Sequence, residues 1–327
     1  MLIPPKYTLR PKISQLLASI QASKEVIDAI SLPYEIELDL RRQSLLKSSL
    51  FSARIEGNTL TLEEVSQKSS KDHRKIEVAN ILKALNTIHQ KTSGKITPKD
   101  ILSLHKIVMD NLADHPGRFR SEASAIFNSA GIPVYVPPPP NHIAQLLNLL
   151  LEFASSKQES SVPIRASLTH YTFEKIHPFL DGNGRIGRLT MQMVLHIGGF
   201  DMKGLAPTEE YLDANRRSYY QSLDEHQNDV TGYLEFMLTA IAETAGETKK
   251  LLLAKKEFKK EDYLLPRRAE IYRIIKDHKL ISFDQVKRRF TKINDRTLRY
   301  DLKKLADGNF IRKRGATKGV YYEAIET

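Results

Sequence analysis

The sequence contains no cysteine, so neither a disulfide framework nor a thiolate metal site can be built from it. It has no apolar run of about eighteen residues, the length that a membrane-crossing helix needs. Its opening, Met1-Leu2-Ile3-Pro4-Pro5-Lys6-Tyr7, lacks the basic-then-apolar order of a signal peptide. There is no Walker motif, no His-Glu-x-x-His pair and no internal repeat. These absences leave a cytoplasmic protein without a membrane span as the expectation. At 327 residues the chain is long for one domain, and its 41% hydrophobic content suffices for a packed core. The net charge of +11 is unevenly placed. Residues 249–327 carry 23 Lys+Arg against 11 Asp+Glu, a net of +12, whereas residues 1–248 net −1. An acidic partner is therefore expected for the C-terminal segment alone, and nucleic acid fits best.

One stretch concentrates chemistry: His177-Pro178-Phe179-Leu180-Asp181-Gly182-Asn183-Gly184-Arg185-Ile186-Gly187-Arg188. From Arg185 onward, Ile186, Leu189, Met193, Val194 and Ile197 recur at helical spacing. The turn before them should lead into a helix N-terminus, where unpaired N–H groups and the helix dipole favour an anion. Two glycines let backbone approach a phosphate closely. Arg185 and Arg188, three apart, offer donor forks suited to phosphate oxygens. Asp181 suits a hard cation such as Mg2+, and His177 can take a proton from a hydroxyl.

In this order the residues resemble the loop of the Fic family, His-Pro-Phe-x-Asp/Glu-Gly-Asn-Gly/Lys-Arg-x-x-Arg, and every specified position is met. The resemblance implies a helical fold and an enzyme that moves AMP from ATP, with Mg2+, onto a protein Ser, Thr or Tyr hydroxyl. It implies that His177 is the base and that Asp181 holds the metal. It places the phosphates on Gly182, Asn183, Gly184, Arg185, Gly187 and Arg188. Upstream, Ser52-Ala53-Arg54-Ile55-Glu56-Gly57 resembles the family's inhibitory motif, in which Glu56 would pair with Arg188. Its place before the core implies the N-terminally inhibited type. Three other activities fit the same residues: another transfer on the same loop, although Gly184 stands where the related Doc proteins carry lysine; removal of AMP; and a DNA-binding regulator whose core senses nucleotide.

Along the rest of the chain, helical patterns are expected within residues 1–35, from Glu35 to Ile55 with a left-handed Gly57 cap, after a Thr61–Glu64 capping box, over Lys75–Gln90, and after Thr97-Pro98. Ser124–Val136 is the one β-like stretch of the core. Ala125, Ile126 and Phe127 should face Ile132, Val134 and Tyr135 across Asn128-Ser129-Ala130-Gly131. Such an exposed ribbon can hold a target peptide by strand addition, and it matches the family's flap, which nominates Val134 and Tyr135. Further helices are expected over Asn141–Ala154, Val162–Ile176, Tyr211–Leu223 and Val230–Ala245. Tyr219 is nominated for the nucleotide base by the resemblance. His170 and His177, seven apart, have no evident third metal ligand.

The last segment reads as three helices, opening near Arg268, Ser282 and Asn294, followed by a basic hairpin that pairs Phe310–Arg312 with Gly319–Tyr322. It resembles a winged helix-turn-helix that would expose Arg296, Arg299, Lys303 and Lys304 on its third helix and Arg312, Lys313, Arg314 and Lys318 on its wing. The expected class is mainly α. Residues 1–95 form an N-terminal helical region with the inhibitory helix, 96–245 the Fic core with a small hairpin flap, 246–265 a linker and 266–327 the winged domain. The expected partners are a target protein hydroxyl, the chain's own included, DNA through residues 266–327, and a second copy as a homodimer.

Overall fold

A computed structural model describes residues 1–66, 72–91, 94–127, 133–256, 264–291, 293–315 and 320–325, a few side chains such as those of Phe127 and Val134 excepted. It is mainly helical and divides into two compact units, Met1–Leu252 and Leu253–Thr327. No helix among the described residues is long and apolar enough to cross a membrane.

In the first unit, α1 (Pro11–Ala29) opens on a proline, which suits a first turn because the missing N–H has no helical partner there. It buries Ile13, Ile20 and Ile27, a stripe with a spacing of seven. The next helix, α2 (Tyr34–Ile55), buries Ile36, Leu40, Leu45, Leu50 and Ile55 among small serines. Its end is fixed locally. Gly57 takes φ +102°, its N–H bonds the Arg54 carbonyl at 2.9 Å, and the Asn58 N–H bonds the Ala53 carbonyl at 3.1 Å. This is the Schellman arrangement, and it holds Glu56 at the helix terminus. The Thr61–Glu64 capping box is present, with Thr61 N donating to Glu64 Oε2 at 2.8 Å, and it starts the five-residue α3 (Leu62–Ser66).

Two helices then frame the centre. α4 (His73–Gln90) is capped by Asp72 and buries Val78, Ile81, Leu85 and Ile88. α5 (Pro98–Val108) has a full Thr97–Asp100 capping box and buries Ile101, Leu104, His105 and Val108. The ribbon is shorter than expected: β1 (Ile126–Phe127) and β2 (Pro133–Tyr135) pair antiparallel, Ile126 with Tyr135 and Phe127 with Pro133, across a bulge. Ala125 is outside the pairing, while Ile132 and the expected turn, Asn128–Gly131, lie outside the described residues. Pro133 heads its strand, where it has no central ladder bond to donate.

After α6 (Pro140–Ser155) come the two helices that carry the loop, α7 (Val162–Ile176) and α8 (Asn183–Ile197). Leu168, Phe173 and Ile176 of α7 and Ile186, Leu189 and Met193 of α8 are at most 2% exposed. Each such side chain contributes about 1.5–3 kcal/mol on burial. The single helix expected over Tyr211–Leu223 is two, α9 (Thr208–Ala214) and α10 (Arg216–Leu223). The break falls at Asn215, whose side chain bonds the Tyr211 carbonyl at 3.0 Å and so offers the backbone an alternative to a continuous helix. α11 (Thr231–Lys256) outlasts its expected end at Ala245 and occupies the first half of the stretch read as linker.

The second unit contains α12 (Pro266–His278), β3 (Ile281–Ser282), α13 (Phe283–Arg289), α14 (Asp295–Asp307), β4 (Ile311–Arg314) and β5 (Tyr321–Ala324). Its core gathers Ile271, Ile275, Val286, Leu298, Leu302 and Ile311. The sheet has three antiparallel strands in the order β3-β5-β4, one more than the hairpin read from the sequence. Buried Asp301 accepts from Arg267 at 2.5 Å and Arg268 at 3.1 Å. Arg296, Arg299, Lys303, Arg312, Lys313 and Arg314 are exposed, although Arg299 stacks 3.8 Å from the Phe283 ring centre and Arg314 pairs with Glu323 at 2.7 Å. Lys318 lies outside the described residues.

Candidate active site

The end of α7 delivers His177 in an unusual backbone conformation. Its φ of +48° is left-handed, which costs a non-glycine residue about 1–2 kcal/mol, so other contacts must hold it. They come from Arg120, which is 3% exposed. The Arg120 Nε donates to the His177 carbonyl at 2.8 Å, Nη1 to the Glu122 carbonyl at 2.9 Å and Nη2 to the Pro138 carbonyl at 2.5 Å. One guanidinium thus ties the loop to the segment leaving β2. The His177 Nδ1 lies 3.4 Å from the Glu174 carbonyl, which favours a proton on Nδ1 and leaves Nε2 as the acceptor. Burial, assisted by the Arg120 charge, lowers its pKa, so the ring is neutral at neutral pH and able to take a proton.

The turn that follows is also fixed from outside. His105 of α5 accepts from the Gly117 N–H at Nδ1 (2.8 Å), so its Nε2–H donates to the Asp181 carbonyl (3.1 Å). The same ring stacks on Phe179 at 3.8 Å between centroids. Asn183 closes on Phe179 twice: its Oδ1 accepts the Phe179 N–H at 2.9 Å, and its Nδ2 donates to the Phe179 carbonyl at 2.8 Å. Gly182 caps α8 with φ +84°, and the first helical bond runs from Ile186 N to the Gly182 carbonyl at 3.0 Å. The N–H groups of Asn183, Gly184 and Arg185 precede that bond and have no carbonyl within the helix to meet. Groups of this kind at a helix start favour an anion.

Both arginines of the loop are buried and held by carboxylates. Arg185 bridges Glu77 of α4 (Nη1 to Oε1, 2.6 Å) and Asp181 (Nη2 to Oδ1, 2.9 Å). Arg188, 1% exposed, donates to the Ser52 hydroxyl at 3.0 Å, the Ser52 carbonyl at 2.9 Å and Glu56 Oε1 at 2.9 Å. Gly184 lets Glu56 come in: a methyl group added there would stand 2.3 Å from Glu56 Oε1. A second carboxyl, Glu174, lies half-buried beside the pair with its Oε1 out of solvent, and burial, with Glu56 adding to it against the pull of Arg188, pushes its pKa up to about 8. The Asp181 side chain is 69% exposed, and its Oδ1 also accepts the Gly182 N–H at 2.6 Å.

Residues 95–195 match the family model described as Fic/DOC family. That match makes residues 95–195 a Fic domain. Protein adenylyltransferase Fic of Drosophila willistoni is 31% identical to it over 247 residues, 70% of this chain and 46% of that protein. The Drosophila persimilis protein of the same name is 30% identical over 271 residues, 72% of this chain and 51% of its own. The chain therefore spans about half the length of the curated relatives it matches. The solved structure of a Fic family protein from Desulfovibrio desulfuricans G20 is similar with a TM-score of 0.69 at 25% identity, covering 99% of this chain and 98% of that one. Fic-1 from C. elegans shares the fold, with a TM-score of 0.59 at 19% identity over 75% of this chain and 73% of that one.

Within the Fic domain some expected roles change. Asn183 was expected to hold phosphate, but its side chain is closed on Phe179, so it orders the turn and offers only its backbone N–H. Gly187 faces α7 rather than the anion site, since an added methyl would stand 2.1 Å from Glu174 Oε1; glycine there lets the two helices pack closely. Tyr219, nominated for the nucleotide base, is 1% exposed and shares His170 with Tyr233, the Tyr219 Oη lying 3.0 Å from His170 Nε2 and the Tyr233 Oη 2.7 Å from Nδ1. That also accounts for both nitrogens of His170. The partly exposed ring is Tyr220, whose hydroxyl donates to the Ile55 carbonyl at 3.1 Å. Tyr135 anchors the ribbon to α7, donating to the Lys175 carbonyl at 3.0 Å beneath the Lys175 ammonium. The backbone of Val134 lies in β2.

Sequence reading missed His105, Arg120 and Glu77 as parts of this site. A histidine within the buried stripe Ile101, Leu104, Val108 was the available signal for His105, because a buried imidazole needs partners.

Proposed function

We propose that the chain is a protein adenylyltransferase that moves AMP from ATP to a Ser, Thr or Tyr hydroxyl of a target protein, its own included. The observation that carries this reading is the convergence at one helix N-terminus of three unpaired N–H groups, two arginines and a neutral His177 with Nε2 available. The relatives named protein adenylyltransferase support it, as does the loop that resembles theirs. In the reaction, His177 Nε2 takes the hydroxyl proton and the oxygen bonds to the α-phosphorus. The bond to the β-phosphate bridging oxygen breaks in line, and pyrophosphate leaves. The N–H groups of Asn183, Gly184 and Arg185 hold the α-phosphate oxygens, and Arg185 and Arg188 turn to the outer phosphates. Such catalysis is mainly positioning and charge stabilisation.

Asp181 fits Mg2+ by the chemistry of its donor: a hard, exposed carboxylate beside the anion site, with Oδ2 outside the contacts to Arg185 and Gly182. When bound, the ion would neutralise phosphate charge. Glu56 acts as the inhibitory residue by occupying Arg188, with Ser52 holding the same guanidinium, so ATP enters with its outer phosphates misplaced. This is the N-terminally inhibited arrangement. Residues 266–327 act as a winged helix-turn-helix that binds DNA. The net positive charge of this end of the chain and the exposed Arg296, Lys303, Arg312 and Lys313 support that reading.

Incubating the Glu56→Gly chain with α-labelled ATP, Mg2+ and a lysate tests the reaction. Protein-bound label that requires His177 supports it. Label that appears only from the γ-phosphate would show a different transfer.

A further inference from the structure

We propose that His89, His196 and Asp201 form a binding site for a d-block divalent cation of the zinc class, which pins the C-terminal end of α4 to that of α8. The site stands apart from the nucleotide loop and shares no residue with it. One donor atom from each of the three residues lies within 4.8 Å of the others. His89 is in the last turn of α4 and His196 in the last turn of α8, with ring centroids 5.0 Å apart. Asp201 sits just beyond α8, its Oδ2 at 3.7 Å from His89 Nε2 and 2.5 Å from His196 Nδ1.

The His89 side chain is 9% exposed, and its Nε2 is a buried atom with no hydrogen-bond partner. Its Nδ1 lies 2.9 Å from the Leu85 carbonyl, an arrangement that puts the proton on Nδ1 and the lone pair on Nε2. A carbonyl behind a histidine is the usual second partner of a metal-binding imidazole. Left unpaired, a buried polar atom costs about 1–3 kcal/mol, which a ligand at Nε2 would relieve.

The surroundings decide the class of ion. Two helix C-termini meet at the site, and both direct negative dipole ends toward it, which favours a cation. Arg41 Nε and His89 Nε2 both border Gly204, so a positive guanidinium stands near the site and works against a weakly held ion. Two imidazoles and one carboxylate therefore select a metal that binds nitrogen strongly rather than Mg2+ or Ca2+. With no cysteine in the chain, the fourth position falls to water, which the 19% exposure of Asp201 admits. On binding, His196 takes the tautomer with its proton on Nε2, which frees Nδ1 as the ligand atom. The pair opens to the roughly 3.3 Å that separates ligands lying about 2.0–2.1 Å from a tetrahedral centre.

The test uses the full chain, without a polyhistidine tag and stripped with chelator, titrated with Co2+ in excess Mg2+. One Co2+ per chain should bind, with visible absorption of a nitrogen and oxygen tetrahedral site, and Zn2+ should displace it and raise the melting temperature. His89→Gln and His196→Gln should each weaken binding at least about 10-fold, a loss that even supporting residues of metal sites produce. The His177→Ala chain should bind as wild type. Asp201→Asn, close in shape, serves if a histidine variant melts below the assay temperature without metal, and it too should lose affinity. No stoichiometric uptake, uptake indifferent to His89 and His196, or uptake lost in His177→Ala would each overturn the site. None of these outcomes bears on nucleotide transfer.

Discussion

Replacing Glu56 with glycine tests the proposal that its contact with Arg188 holds back transfer. Arg188 is fully buried, while the Glu56 side chain that meets it is 30% exposed. Their single 2.9 Å charged hydrogen bond is worth about 1.5–3 kcal/mol net, and under the proposed mechanism ATP displaces it to bring its γ-phosphate to Arg188. Removing it should raise transfer at subsaturating ATP by about 10-fold to somewhat over 100-fold, at 1.4 kcal/mol per tenfold. Ser52 still holds the Arg188 Nε, so the guanidinium remains in place in the variant. Residue 56 is the helix cap rather than part of α2, and Gly57 already supplies the left-handed turn, so α2 should keep its end while the melting temperature falls with the loss of the charged hydrogen bond. The assay is self-modification and lysate labelling with α-labelled ATP at fixed Mg2+, read with Glu56→Gln as an intermediate. Glu56→Gly combined with Arg188→Ala should lose the gain. Unchanged labelling in Glu56→Gly would refute the reasoning and reduce Ser52–Gly57 to a helix end.

Three further outcomes are expected. His177→Ala should lower transfer at least about 10²-fold while ATP binding, followed by calorimetry, is retained, because the base acts on the hydroxyl. Reversing Arg296 and Arg299 to Glu should abolish DNA binding in gel-shift assays while leaving transfer unchanged, and wild-type affinity should fall steeply with salt; a salt-insensitive complex would oppose the DNA reading. Glu174 has a pKa raised from 4.5 to about 8 in the folded chain, so the folded state binds the extra proton between those values. Its stabilising contribution is therefore present below pH 4.5 and is lost as pH rises through about 8, at no more than about 1.4 kcal/mol per unit. Glu174→Gln should flatten the decline of melting temperature over that range, and an unchanged slope would count against the assignment.

The loop was legible in the sequence because its chemistry is contiguous. A base, a turn and a helix start fall within twelve residues, and local rules determine each of them. The end of α2 was legible for the same reason, since Gly57 alone dictates the cap. The supports of the loop were not, because they arrive from distant segments: His105 reaches Asp181 across 76 positions, and Arg185 meets Glu77 across 108. Asn183 shows another limit. Its residue type suits a phosphate or a turn equally, and only the folded loop shows it closing on Phe179. For Tyr219 and Tyr220, the break at Asn215 sets which ring faces His170, and a pattern read as one helix through Tyr211–Leu223 does not register it. β3 has two residues, too few for any alternation to appear.

The central claim is that this Fic domain transfers AMP under the control of Glu56, and intact mass spectrometry tests it most directly. The chain is incubated with Mg2+ and ATP, alone and with lysate, as wild type, Glu56→Gly, and Glu56→Gly with His177→Ala. The account predicts an added AMP group, on the chain or on a lysate protein, strongest in Glu56→Gly and absent when His177 is replaced. An added phosphate, or no adduct in Glu56→Gly with intact ATP present, would contradict it.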